Sequence, residues 1–150
     1  MTLQEALNLF ESLKNEATKK SEVKVYERFL HTLTELKSRQ FSKDEIQSIE
    51  TELDGLGLTS NPENKKAYFK KTLRKFEKYL KDTFSLTPKG YYTNMGMVLG
   101  SSFGLLFAIV FLSNWERSLG IALGLSIGML IGLTIGRSMD AKAITEGRVF

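Results

Sequence analysis

Two long uncharged segments in the last third of the sequence constrain the fold most strongly. Residues 93–112 read TNMGMVLGSSFGLLFAIVFL and residues 118–136 read SLGIALGLSIGMLIGLTIG, and neither segment contains Asp, Glu, Lys, Arg or His. A helix of about 20 residues crosses a hydrocarbon core of about 30 Å. Two adjacent runs of this length are rare in the core of a water-soluble protein. The sequence therefore predicts two transmembrane helices.

The short connection between the two runs predicts an antiparallel hairpin with both of its ends on one side of the membrane. Arg117 lies beside Glu116 in the connecting residues 113–117, whereas more bases flank the other ends, at Lys78, Lys81, Lys89, Arg137, Lys142 and Arg148. The positive-inside rule then predicts a multi-pass protein of the cytoplasmic membrane with both termini in the cytoplasm. Trp115 and Tyr91–Tyr92 are typical of the interfacial aromatic belts. MTLQEALNLF lacks the basic and apolar regions of a signal peptide, so we expect the spans themselves to direct insertion.

Small residues recur at every fourth position in both runs. They are Gly96, Gly100, Gly104 and Ala108 in the first run and Gly120, Gly124, Gly128, Gly132 and Gly136 in the second. Residues four apart share one helix face, and small residues on such a face allow the close packing that associates helices in lipid. Glycine lowers helix propensity, so its repetition indicates a packing requirement. These faces either only close the hairpin or also join neighbouring copies.

A second row of mostly small residues lies nearly opposite the glycines of the second run. It consists of Ala122, Ser126, Leu130 and Thr134. If one face packs on the first helix, the other remains for a second copy, which makes a homo-oligomer an expected partner. Alternatively, these hydroxyls and those of Ser101 and Ser102 bond to carbonyls of their own helices. The absence of ionisable residues disfavours proton relays and ion-coupled transport, whereas a pore lined by glycine backbone and hydroxyls stays open.

Residues 1–89 predict a soluble bundle of about four amphipathic helices. Thr2 with Glu5 and Ser42 with Glu45 form capping boxes for the first and third helices, and Ser21 is the expected cap of the second. Asn61 and Pro62 are expected to begin a fourth helix over residues 62–84. The predicted fold is thus all-α: this bundle, a transmembrane hairpin at residues 90–136 and a short cytoplasmic tail at residues 137–150.

The fourth predicted helix is strongly basic. Residues 62–90 carry nine Lys and Arg against three Asp and Glu, whereas residues 1–61 carry eight against eleven. The candidate membrane-surface bases are Lys70, Lys71, Arg74, Lys75, Lys78 and Lys81. The helix either lies on the anionic leaflet of the bilayer or packs its apolar stripe into the bundle and leaves the bases solvated beside lipid; we favour a combination of the two. Nucleic acid is a disfavoured partner because no recognition motif accompanies the bases.

Residues that carry out catalysis are scarce in this sequence. There is no cysteine, and the single histidine, His31, has no identifiable partner, so we expect it at the bundle surface or its boundary. We find no phosphate-binding loop, dinucleotide fingerprint, zinc spacing, nucleophile elbow or calcium loop. The sequence therefore predicts no enzymatic activity, no cofactor and no metal site.

Residues 90–150 resemble a known type of membrane protein. The segments GYYTNMGMVLGSSFG and GIALGLSIGMLIGLTIGRSMDAKAITEGRVF are similar to bacterial two-span glycine-zipper proteins, which end in a D-x-K-A-x-x-E-G-R tail. Its elements here are Asp140, Lys142, Ala143, Glu146, Gly147 and Arg148. The resemblance implies an inner-membrane location and this architecture, but no activity. We expect a protein that acts through helix assembly or as a membrane-anchored scaffold. The alternatives are an oligomeric pore and a regulator that recruits a cytoplasmic protein through residues 1–60.

Overall fold

The predicted all-α class is confirmed. A computed structural model describes residues 1–111 and 117–150. In this part of the chain the helices are α1 (Leu3–Glu16), α2 (Lys20–Ser38), α3 (Lys43–Gly55), α4 (Lys65–Phe84), α5 (Tyr91–Phe111) and α6 (Arg117–Thr145). The predictions for Trp115 and Glu116 in the connection lie outside the described residues. The chain divides into two compact units, Met1–Leu86 together with Phe150, and Thr87–Val149.

The first unit packs α1 to α4 around an aromatic core. The ring of Phe10 stacks on that of Phe29 with centroids 4.1 Å apart, and it meets the ring of Phe69 edge-on at 5.7 Å. Tyr26 also meets Phe69 edge-on, at 5.5 Å. Such pairs add about 0.5–1.5 kcal/mol each beyond the burial of their area. Since these residues come from α1, α2 and α4, the aromatic cluster holds three helices together.

Both predicted capping boxes are present. The Glu5 amide donates to the Thr2 hydroxyl at 3.2 Å while the Glu5 carboxylate accepts from the Thr2 amide at 2.8 Å. Ser42 and Glu45 repeat this exchange at 3.3 and 2.8 Å. Each box satisfies amides that the first helical turn leaves without intrahelical partners. The beginnings of α1 and α3 therefore follow from local sequence.

Two other predicted helix starts were wrong. Helix α2 begins at Lys20 after Lys19, which makes no side-chain capping bond, so Ser21 lies inside the first turn. Helix α4 begins at Lys65 and not at Pro62, because the Asn64 side chain accepts a hydrogen bond from the Ala67 amide at 3.0 Å. Asn61 and Asn64 are equally good capping residues in the sequence. Local propensity alone did not separate them.

The second unit contains α5 and α6. Helix α6 does not end at Gly136 but continues to Thr145, so most of the predicted tail at 137–150 is helical. Gly147 ends it with a φ of +67°, and the amides of Gly147 and Arg148 donate to the carbonyls of Ile144 and Ala143 at 3.0 and 2.9 Å. This arrangement is the Schellman motif that closes many helices. Residues 137–145 contain no glycine or proline, so nothing before Gly147 interrupts the helix.

Candidate membrane-spanning hairpin and basic helix

The glycine rows of α5 and α6 face each other inside one chain. A Cβ atom placed on Gly104 would lie 2.9 Å from the Cα of Gly128, and one placed on Gly100 would lie 2.9 Å from the Cα of Gly132. Carbon atoms in ordinary contact are about 3.5–4.0 Å apart. No side chain larger than hydrogen fits at these positions unless the two helices separate.

This close approach runs along the whole described interface. A Cβ on Gly96 would lie 3.0 Å from the carbonyl carbon of Gly132, and one on Gly136 would lie 2.7 Å from the Cα of Thr93. At the other end, a Cβ on Gly124 would lie 3.3 Å from the Cα of Ala108, whose side chain is buried. Gly120 is buried as well. Apart from Gly120, for which only burial is described, the predicted small residues thus pack helix on helix within the hairpin, which is the first of the two roles considered for them.

The outer surface of the hairpin is apolar. Large hydrophobic side chains are exposed along both helices, among them Phe103 at 69% and Leu130 at 64%. In the most apolar stretch of each helix, 11% of residues are buried in α5 and 22% in α6. These helices are therefore unlike the buried core helices of a soluble protein. Both are long and apolar enough to cross a membrane.

Hydroxyl groups within the two helices bond to their own backbone. Ser101 donates to the Met97 carbonyl at 2.7 Å, and Ser126 donates to the Ala122 carbonyl at 2.7 Å. Ser102 and Thr134 make equivalent bonds at 2.9 and 2.8 Å. The predicted alternative of self-bonded hydroxyls is confirmed. These bonds leave no hydroxyl of the four in need of a partner from another molecule.

Asp140 extends the glycine face of α6 by one more four-residue step. Its carboxylate accepts from the backbone amides of Tyr92 at 3.0 Å and Thr93 at 2.9 Å, and the residue is only 8% exposed. The amide of Tyr91 donates to the Pro88 carbonyl, so Asp140 supplies the next two acceptors at the start of α5. A carboxylate also interacts favourably with the positive end of a helix dipole. From the sequence, Asp140 was predicted only as part of the tail, although its four-residue spacing from Gly136 indicates the same helix face.

The residues that flank the hairpin also pair with each other. The Thr87 amide donates to the Arg148 carbonyl at 2.8 Å, and Thr87 forms a parallel bridge with Val149. The Arg148 guanidinium bonds to the Glu146 carboxylate, which raises the pKa of Arg148 above its usual value. The start of α5 and the end of α6 are therefore held together by these backbone contacts of Thr87 and by the side chain of Asp140.

Helix α4 presents its apolar stripe to the bundle core. Phe69, Leu73, Phe76 and Leu80 are each at most 1% exposed. The predicted membrane-surface residues lie outside this stripe: Lys70, Lys71, Arg74, Lys75 and Lys78 are exposed, and Lys81 is partly exposed. Of the two arrangements considered, the stripe thus packs into the bundle. Insertion of the stripe into lipid would require the bundle core to open.

His31 is exposed, as expected for a surface position. Within residues 1–111 and 117–150, no group of three His, Cys, Asp or Glu residues is arranged to hold a metal ion.

Comparison with known protein families, curated proteins and solved structures returned no match for this chain. The resemblance to two-span glycine-zipper proteins therefore stays a prediction from the sequence.

Proposed function

We propose that this protein is a membrane-anchored scaffold in which the α5–α6 hairpin crosses the cytoplasmic membrane and tethers the α1–α4 bundle to it. One observation carries the proposal: the inner faces of the hairpin are closed by glycine, while its outer surface is covered with exposed large apolar side chains. In water, an exposed apolar surface of this extent promotes association or aggregation. In a bilayer the same surface is solvated by lipid.

The polar groups of the hairpin suit this environment. A span must satisfy its backbone hydrogen bonds internally, because the hydrocarbon core offers no water. Two helices meet that requirement, and the hydroxyls of Ser101, Ser102, Ser126 and Thr134 add bonds to their own helices. Asp140 satisfies amides at the start of α5. Each of these polar groups thus has a protein partner when lipid surrounds the helices.

An anchor accounts for the glycine rows without a second molecule. The glycine row of α5 packs against the glycine row of α6. An assembly of several copies, or a pore, would therefore have to use another face of the hairpin. A homo-oligomer accordingly remains a separate prediction, and so does recruitment of a cytoplasmic protein by the bundle.

Alkaline carbonate extraction of membranes from bacteria that express the full chain tests the anchor. We expect the wild-type protein to stay in the membrane pellet. The double substitution Phe103→Arg with Leu130→Arg should release it, because each arginine near a helix centre disfavours insertion by about 2.5–3.5 kcal/mol. Asn15→Arg with Thr34→Arg, at exposed positions of α1 and α2, is the matched control and should remain in the pellet. Extraction of the wild-type protein into the supernatant would refute the anchor.

Single-cysteine labelling tests the orientation. The chain contains no cysteine, so Asn15→Cys and Ser138→Cys each introduce a single thiol. With both termini cytoplasmic, a membrane-impermeant maleimide should label both variants in inside-out vesicles and neither in right-side-out vesicles. Labelling of the two sites from opposite sides would contradict a hairpin that crosses the membrane twice.

A further inference from the structure

The exposed face of α4 is a concentrated positive surface. The helix carries eight Lys and Arg residues against Glu77 and Asp82. At about 100° per residue, Lys71, Arg74 and Lys78 lie on the side opposite the buried stripe with the exposed Ala67 among them, and the exposed Lys70 lies at the edge of that side. We call this set, Ala67 included, the basic face.

Residues beside the basic face form ion pairs, whereas the lysines of the basic face itself do not. Glu77 is directed towards Arg28 of α2, with a nitrogen–oxygen distance of 2.9 Å, and Lys75 lies 3.8 Å from Glu52 of α3. In the described part of the chain, Lys70, Lys71 and Lys78 form no ion pair. Their charges are therefore available to an anion from outside the bundle.

Acidic residues are concentrated elsewhere in the same unit. Helix α3 carries five Asp and Glu residues against one base, Lys43. An anionic surface would attract the basic face and repel α3. The charge distribution of the bundle thus favours one orientation against such a surface.

We propose that the basic face binds anionic phospholipid headgroups of the membrane that holds the hairpin; this inference rests on the anchor proposed above. Residues 85–90 alone separate α4 from α5, and six residues span at most about 20 Å. The C-terminal end of α4, the helix that carries the basic face, is thus tethered close to any bilayer that α5 enters. Each base near an anionic leaflet strengthens association about fivefold.

A phospholipid surface fits this face better than a single-stranded nucleic acid does. Proteins that bind single strands stack the bases on exposed aromatic side chains. On α4, Phe69 and Phe76 are buried in the bundle core, so these rings cannot stack on bases. The basic face offers charge without a stacking surface, which matches recognition of headgroups.

An environment-sensitive fluorophore on Ala67→Cys tests the proposal in the full chain. The protein is placed in nanodiscs of phosphatidylcholine, with or without about one third phosphatidylglycerol, and Asn15→Cys on α1 carries the same fluorophore as the control. We expect a blue shift at position 67 in anionic discs alone, reversed by high salt, with no shift at position 15. Substitution of Lys70, Lys71 and Lys78 by Gln should weaken the association about 100-fold and abolish the blue shift.

The possible outcomes distinguish a failure of the headgroup interaction from a failure of the membrane anchor. Incorporation into phosphatidylcholine discs is measured first, and failure there refutes the anchor and this inference together. Normal incorporation without a lipid-dependent shift at position 67 refutes only the headgroup interaction. The same holds if the triple glutamine variant keeps the shift, if position 15 shifts equally, or if added RNA and not anionic lipid produces the shift. Circular dichroism of each variant checks that the bundle remains folded.

Discussion

Replacement of Gly128 by alanine tests how the hairpin is held together, because two physical effects predict opposite signs. Helix propensity alone predicts that Gly→Ala stabilises α6 by about 1 kcal/mol. The structure predicts the reverse. A Cβ at position 128 would lie 2.7 Å from the Cα and 2.9 Å from the amide nitrogen of Gly104, and backbone atoms cannot rotate away as a flexible side chain can.

The size of the effect follows from the separation that the added methyl group requires. To restore an ordinary carbon–carbon distance of about 3.5–4.0 Å, the helices must part by about 1 Å at Gly104. A gap of this size removes about a quarter to a half of the dispersion attraction at neighbouring contacts such as Gly100 with Gly132. Overpacking of a close interface costs about 1–3 kcal/mol. Subtracting the gain of about 1 kcal/mol in helix propensity leaves an expected net destabilisation of the hairpin by Gly128→Ala of about 1 kcal/mol.

The unfolding free energy in mixed micelles, measured by titration with a denaturing detergent, reports this change directly. Ser126→Ala is the matched control, because Ser126 is exposed on the same helix and bonds only to its own backbone; we expect a change within about 0.5 kcal/mol. Gly128→Leu should be more destabilising than Gly128→Ala. If Gly128→Ala is as stable as the wild type or more so, the inference of a close-packed glycine interface is wrong.

The particle mass in nanodiscs, measured on the same samples, addresses the homo-oligomer. If the glycine row acts only within the hairpin, wild type, Gly124→Leu and Gly128→Leu should have the same mass. A wild-type oligomer that the glycine substitutions convert to monomers would instead give the row an intermolecular role and make pore assays worthwhile.

Three further predictions concern single residues. Asp140→Ala should destabilise the hairpin by about 1–3 kcal/mol in the same micelle titration, because two amides at the start of α5 lose their acceptor; an unchanged free energy would contradict that role. Ser42→Ala should lower the unfolding free energy of the bundle in urea by about 1 kcal/mol, because α3 loses its capping hydroxyl, and Thr34→Ala at an exposed position of α2 is the control. Burial raises the pKa of Glu77 above its ordinary value near 4.5, against the opposing effect of Arg28, so the folded state binds this proton more tightly than the unfolded state. The stabilisation that this tighter proton binding provides is present below pH 4.5 and is lost as the pH rises through the folded-state pKa of Glu77. The free energy of unfolding of the wild type in urea, relative to that of Glu77→Gln, should therefore fall over this pH range. A difference that does not change with pH would refute the raised pKa of Glu77.

Local sequence determined most of the secondary structure. The capping boxes at Thr2 and Ser42 were readable because their partners lie three residues away, and the helical stripes because their spacing is three or four. The four-residue glycine interval likewise identified one close-packing face on each apolar helix. Such signals depend on residues within one helical turn, which a single sequence displays directly.

Tertiary structure decided what each face meets. The glycine interval allowed packing within or between chains, and only the backbone positions showed Gly104 against Gly128. The basic helix allowed its stripe to enter lipid or the bundle, and only the packing of Phe69 beside Phe10 assigned it to the core. Asp140 acquired its role from amides 47 and 48 residues away. Contacts at that separation depend on how helices are brought together, which local propensity does not specify.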